Sequence, residues 1–215
     1  MCEDSEAAPD AKVNDDWLYR WRDYTGEVSD DDLQKLWGRL LAGEVKAPGS
    51  YSLRSLDFLR NLSQEEAALI AKMASIVING FVWRPEDKIY PFNFQEMLQL
   101  QEMGILVGVD SIGLNYTLSQ NSDGNGGWLS AVTCHERCVI IRGGQDTLGN
   151  LIQLNVMSVS NLGMQIIGLG DFESDFQHLE KFARHLVSLG YKVGIAEVIP
   201  STPDTIGWRN EVVVK

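Results

Sequence analysis

The densest run of reactive side chains is Cys134-His135-Glu136-Arg137-Cys138, in which every residue but the arginine can ligate a metal or carry a proton. Structural zinc takes four ligands in a tetrahedron, commonly from two paired cysteine knuckles. Here a single Cys-x3-Cys stands alone, and the remaining histidines, His178 and His185, lie far along the chain. Neither the haem-attachment order C-x-x-C-H nor a redox C-x-x-C is present. His178 and His185 are seven residues apart, so on a helix they share a face two turns apart, whereas chelating one ion needs i, i+4. Asn121-x-Asp123-x-Asn125-Gly126 opens like a calcium loop, but Val132 holds the position where a bidentate carboxylate belongs. Gly163-x4-Gly168-x-Gly170 has phosphate-loop glycines without the Lys and Ser/Thr that must follow. The acidic groups Asp30-Asp31-Asp32 and Glu65-Glu66 fall in first helical turns, where the helix dipole accounts for them. These patterns assign no catalytic residue, no metal and no cofactor.

The elements that would carry these residues begin with a run of helix signals. Asp15-Asp16 precede Trp17, Leu18, Trp21 and Tyr24, a short amphipathic helix. Ser29 reads as an N-cap ahead of Leu33, Leu36, Trp37, Leu40 and Leu41, an apolar stripe that must be buried. Gly43 and Pro48-Gly49 end that helix. Ser52 caps a second, bearing Leu53, Leu56, Leu59 and Leu62, and Ser63 with Glu66 forms the capping box of a third. Glu44 and Arg54 flank the Pro48-Gly49-Ser50-Tyr51 turn, and the spacing predicts an ion pair that staples it. Asn93 with Glu96 caps another helix, closed by Gly104. From Ile105 the period changes, and strands are expected over 106–107, 114–119, 128–133, 138–142 and 151–159. A helix over 172–189, a strand over 192–198 and an edge strand over 211–214 complete the reading. The fold class is α+β, with a helical N-terminal half and a mixed second half. The expected division is a disordered lead-in over 1–14, a helical domain over 15–84 and a mixed α+β domain over 85–215.

At 215 residues the chain is long enough to bury a core without metals or disulfides. Its net charge of −12 disfavours phosphate backbones, and nucleic acid with them. Three cysteines are too few and too odd for a secreted scaffold, so a reducing cytoplasm is expected. No apolar run is long enough to span a membrane, and the acidic start is not a signal peptide.

The run DDWLYRW and the following SDDDLQKLWGRLLAGEVKAPGSYSLRSLDFLRNLSQEEA resemble the signature of a family of uncharacterised bacterial proteins. Its pattern is S-D-x-x-L-Q-x-L-W-x-x-L-L-A-G-E, then P-G-S-x-S-L-R-S/T-L, then L-S-x-x-E-A. The match is close from Asp15 to about Ala71, and the run is more distantly similar to the abortive-infection alpha domain. Members extend further at the N-terminus, which marks this chain as a candidate fragment. Leu98 to Leu106 resembles the end of a winged-helix recognition helix, and Val159-Ser160-Asn161-Leu162-Gly163 resembles the segment that follows a wing. The second half is thus expected to have a partly winged-helix-like start.

The resemblance implies no established activity. The function expected is a non-catalytic protein-interaction or regulatory module, linked to bacterial phage defence, that binds a protein partner or associates with itself. Trp17, Trp21 and Tyr51 are the aromatic residues expected at the contact surface, with Trp37 assigned to the core and Glu44, Arg54, Pro48 and Gly49 to the structural turn. One alternative is a winged-helix-type DNA-binding regulator that uses Lys72, Arg84, Lys88, Arg137 and Arg142. A second is a defence toxin or enzyme with a polar pocket around His135, Glu136 or His178.

Overall fold

The structure is a computed structural model that describes residues 12–26, 28, 31–85, 91–109, 114–199 and 206–215. Its helical elements are α1 (Asp15–Thr25), α2 (Asp31–Lys46), α3 (Leu53–Arg60), α4 (Gln64–Ala74), α5 (Phe94–Glu102), α6 (Asn161–Ile167) and α7 (Phe176–Ser188). Its strands are β1 (Phe81–Trp83), β2 (Leu106–Val107), β3 (Leu114–Thr117), β4 (Asn121–Ser122), β5 (Trp128–Cys134), β6 (Arg137–Gly143), β7 (Gln153–Val159), β8 (Lys192–Ile199) and β9 (Gly207–Val213). Helices dominate the N-terminal half and strands the rest, an α+β fold. Ser29, Asp30 and Lys88 lie outside the described residues, as does most of the lead-in over 1–14.

The chain divides into two compact units, residues 1–67 with 161–171, and residues 68–160 with 172–215. The division precedes residue 84 because β1 pairs antiparallel with β7, which ties Phe81–Trp83 to the strands of the second unit.

In the first unit α1 packs on α2 and α3, and α6 packs on α3. The stripe of α2 buries Trp37 and Leu40, while Leu36 and Leu41 are half-buried and Leu33 is exposed. Glu44 follows Leu40 by one turn on the same face, which is why a carboxylate there is only 2% exposed. Ser52 caps α3 by accepting the N–H of Ser55, and α3 buries Leu56 and Leu59. The helix α6 was not among the expected elements. Its side chain Gln165 accepts from Ser52 N–H and the Ser52 and Ser55 hydroxyls and donates to the Ser50 carbonyl at 2.7 Å.

In the second unit β7 is central to a sheet with β1 along one side and β2 then β3 along the other. The other sheet runs β4-β5-β6-β8-β9, antiparallel throughout. Strand β5 alternates Trp128, Ser130, Val132 and Cys134 inward with half-buried residues between, as a two-residue period requires. The α7 residues Leu179, Phe182, Ala183 and Leu186 recur at helical spacing and share one core cluster with Val139, Ile141, Val193 and Ile195 of the five-stranded sheet and Phe81, Trp83, Leu154 and Val156 of the other. Burying each large member of that cluster contributes about 1.5–3 kcal/mol. Helix α7 starts at Phe176 rather than Phe172 because Asp175 caps it, accepting the N–H of His178. The capping box of Asn93 and Glu96 opens α5 as expected, and Gly104, with φ 76°, ends it and leads into β2.

Candidate functional site

The Cys134–Cys138 run forms a tight hairpin in which Cys134 pairs with Arg137 and only His135 and Glu136 make the turn. The two thiols therefore sit in strands rather than on a loop. Cys134 joins the α7-facing cluster and Cys138 joins Ile140 and Ala196 in a separate one, because neighbouring register positions point to opposite faces. Two sulfurs on opposite faces of a sheet cannot meet one ion. Burial, aided by Glu136 and Asp175, pushes the Cys134 thiol up to about 12, and burial with Glu211 raises Cys138 to about 11. Both are poor nucleophiles and poor ligands in that state.

His135 takes a left-handed backbone, φ 52°, and its Nε2 lies 2.7 Å from the Ala74 carbonyl oxygen. Glu136 accepts the N–H of Ser174 at 3.0 Å and its hydroxyl at 2.6 Å. Burial pushes the Glu136 carboxyl up, but these hydrogen bonds, its own backbone N–H and Arg137 outweigh burial and hold it below the ordinary carboxylate value. The cluster thus clips the hairpin to the end of α4 and to the segment before α7. His178 and His185 do share a face of α7, and both pack against the Trp83 indole, with ring centroids at 6.0 and 5.1 Å. Sequence spacing brought these two histidines together correctly, around an aromatic ring.

The signature segment of the first unit is also consumed by structure. The Glu44 carboxylate accepts the N–H groups of Gly49 at 2.6 Å and Tyr51 at 2.9 Å. The staple of the Pro48-Gly49-Ser50-Tyr51 turn is therefore carboxylate to backbone. The expected Glu44–Arg54 ion pair does not form: Arg54 is exposed on α3, and Glu44 is buried with its oxygens directed at the turn. Tyr51 is half-buried against Gly43, where an added Cβ would fall 2.7 Å from its ring. Trp17, expected at a contact surface, is a core residue at 3% exposure. Trp21 is half-buried and donates its indole N–H to the Trp37 carbonyl at 3.0 Å. Their helix contributes its indoles to packing because the apolar face of α1 has α2 and α3 to cover.

One open surface lies along the edge strand β9. Among the described residues β9 pairs only with β8, so its other edge presents unpaired N–H and C=O groups. Asn210, at φ 53°, marks an irregularity that breaks the ladder, and beyond it Val212 pairs with Ile195 and Val213 with Gly194. Between this end of β9 and α7 runs a groove of about 250 Å³, with Phe176, Ile195 and Val212 among its apolar residues and Glu180, Arg184 and Lys215 as its charged ones. Val212 and Val213 are each 68% exposed and Phe176 49%. Arg184 bonds Glu180 at 2.8 Å and the Lys215 carbonyl at 3.1 Å, which fixes the end of the groove. The one hint in the sequence was the edge strand expected over 211–214, with its Val-Val-Val run.

Residues 1–83 match the family model described as Protein of unknown function (DUF2806). No curated protein and no solved structure matches the chain. Among the described residues no helix is long and apolar enough to cross a membrane.

Proposed function

We propose that the chain is a non-catalytic protein-interaction module that receives an extended segment of a protein partner along β9. The observation that carries this reading is the apolar groove beside an unpaired strand edge, with Val212 and Val213 both open to solvent. A strand added to such an edge gains main-chain hydrogen bonds, and its alternate side chains enter the groove. The setting we propose is a bacterial cytoplasm, which the free Cys134 and Cys138 support. A link to phage defence rests on the resemblance of the N-terminal segment to the abortive-infection alpha domain.

The DNA-binding alternative loses support at its cations. Lys72 bonds Glu96 at 2.7 Å, Arg142 is held by Glu211, and Arg137 pairs with Glu136 and lies over the Phe176 ring. Helix α5 exposes Gln95, Gln99 and Glu102 and carries no Lys or Arg to clamp phosphates. The enzyme alternative loses support at His135 and Glu136, which are engaged as described. Selection of binders from a random peptide library on the whole chain tests the reading: peptides that alternate apolar residues and lose binding to Val212→Asp favour it, and equal binding to both proteins refutes it.

A further inference from the structure

A second cleft of the same unit, of about 570 Å³, opens where β6 ends and β8 begins, beside the glycine-rich turns before β5 and after β6. Its lining side chains are polar or charged, which suits a polar ligand and sets it apart from the groove along β9. Its walls are fixed in advance. Asp123 accepts the N–H groups of Asn125 at 2.8 Å and Gly127 at 2.9 Å, and the Trp128 indole donates to Thr147, whose hydroxyl in turn donates to the Gly144 carbonyl at 2.9 Å. A site whose loops are already tied loses little order when it is filled.

The cleft carries charges of both signs. Arg142 and Lys192 stand directly across β6 and β8, a like-charge pairing that costs stability unless relieved. Glu211 grips Arg142 through both carboxylate oxygens and relieves one of the two. Lys192 has no ion-pair partner among the described residues. Asp146 likewise has none, and its exposed carboxylate can only accept hydrogen bonds. A bare polyanion is attracted by Lys192 but repelled by Asp123 and Asp146. A molecule with one anionic group and several hydroxyls satisfies both, and the amides of Asn125 and Gln145 can give and take hydrogen bonds as hydroxyls need.

We propose that this cleft binds a phosphorylated sugar, with the phosphate at Lys192 and the sugar hydroxyls at Asp146. The proposal is independent of the partner groove. Titration calorimetry on the full chain with ribose 5-phosphate and with AMP tests it, beside inorganic phosphate, ribose and glutamate. Binding of AMP or of ribose 5-phosphate supports it, and the preferred one says whether the source is a nucleotide or a free sugar phosphate. Lys192→Gln is expected to weaken that binding at least tenfold and Asp146→Asn several-fold. Both side chains are exposed, so the fold tolerates the changes, and the far-UV circular dichroism is expected to stay unaltered. Absence of heat with either sugar phosphate at millimolar concentration overturns the proposal. So does unchanged affinity in Lys192→Gln, equal affinity for inorganic phosphate, or binding of glutamate alone.

Discussion

Replacing Glu44 by glutamine isolates the contact that holds the signature turn. The carboxylate accepts two backbone N–H groups, from Gly49 and Tyr51, and is itself 2% exposed. A hydrogen bond to a charged group is worth about 1.5–3 kcal/mol net. Gly49 is exposed and Tyr51 half-buried, so the Gly49 N–H regains water more readily than the Tyr51 N–H when the acceptor is lost. Glutamine retains one acceptor oxygen but turns an NH₂ toward the second donor, so the loss is about 2 kcal/mol, and alanine loses about 3 kcal/mol because both acceptors and some packing go. For a chain of this size that corresponds to a fall of about 4–12 °C in melting temperature. Arg54→Ala, at an exposed site, stays within about 0.5 kcal/mol. The assay is urea unfolding of the single variants and of the Glu44/Arg54 double variant, read by circular dichroism, with amide exchange at Gly49 and Tyr51 as the local probe. Additive losses, with coupling below about 0.5 kcal/mol, are expected. A Glu44→Gln protein as stable as the parent, or coupling above about 1 kcal/mol to Arg54, refutes the carboxylate-to-backbone account.

Two further outcomes follow from the hairpin. Cys134 and Cys138, with thiols raised to about 12 and about 11, are expected to resist iodoacetamide at pH 8 in the native protein and to react fully in urea, as read by mass spectrometry of their peptides; native alkylation of either contradicts their burial. Glu136 has a lower proton affinity folded than unfolded, so its stabilisation is complete above the ordinary value of 4.5 and fades as pH falls through the lower folded value. Stability measured against pH should therefore show a shallower acid limb in Glu136→Gln than in the parent, and parallel limbs count against the Ser174 contacts.

Local chemistry wrote much of the helical half into the sequence. Ser52, the Ser63–Glu66 pair and the Asn93–Glu96 pair are caps whose donors lie within three residues, and all three form. Strands expected over 128–133, 138–142 and 192–198 are legible for the same reason, through the flanking turns, and they form over Trp128–Cys134, Arg137–Gly143 and Lys192–Ile199. What could not be read depends on residues distant in the chain. Helix α6 has only seven residues, one of them glycine, and its Gln165 reaches back to Ser50 and Ser52. Formal charge points to Arg54 as the partner of Glu44, whereas the backbone N–H groups of Gly49 and Tyr51 take its carboxylate. The few apolar anchors of α1 point Trp17 to a surface, yet it is buried where α1 packs on α2 and α3. The groove along β9 depends on which strand ends up at an edge, and that is set by the order β4-β5-β6-β8-β9 rather than by any motif.

The most direct measurement is hydrogen exchange of the β9 amides with and without a library-selected peptide. Slowed exchange is expected at residues 211–214, with no change when the chain carries Val212→Asp. Slowed exchange confined to other strands, or protection of β9 that survives Val212→Asp, contradicts an interaction module built on this edge.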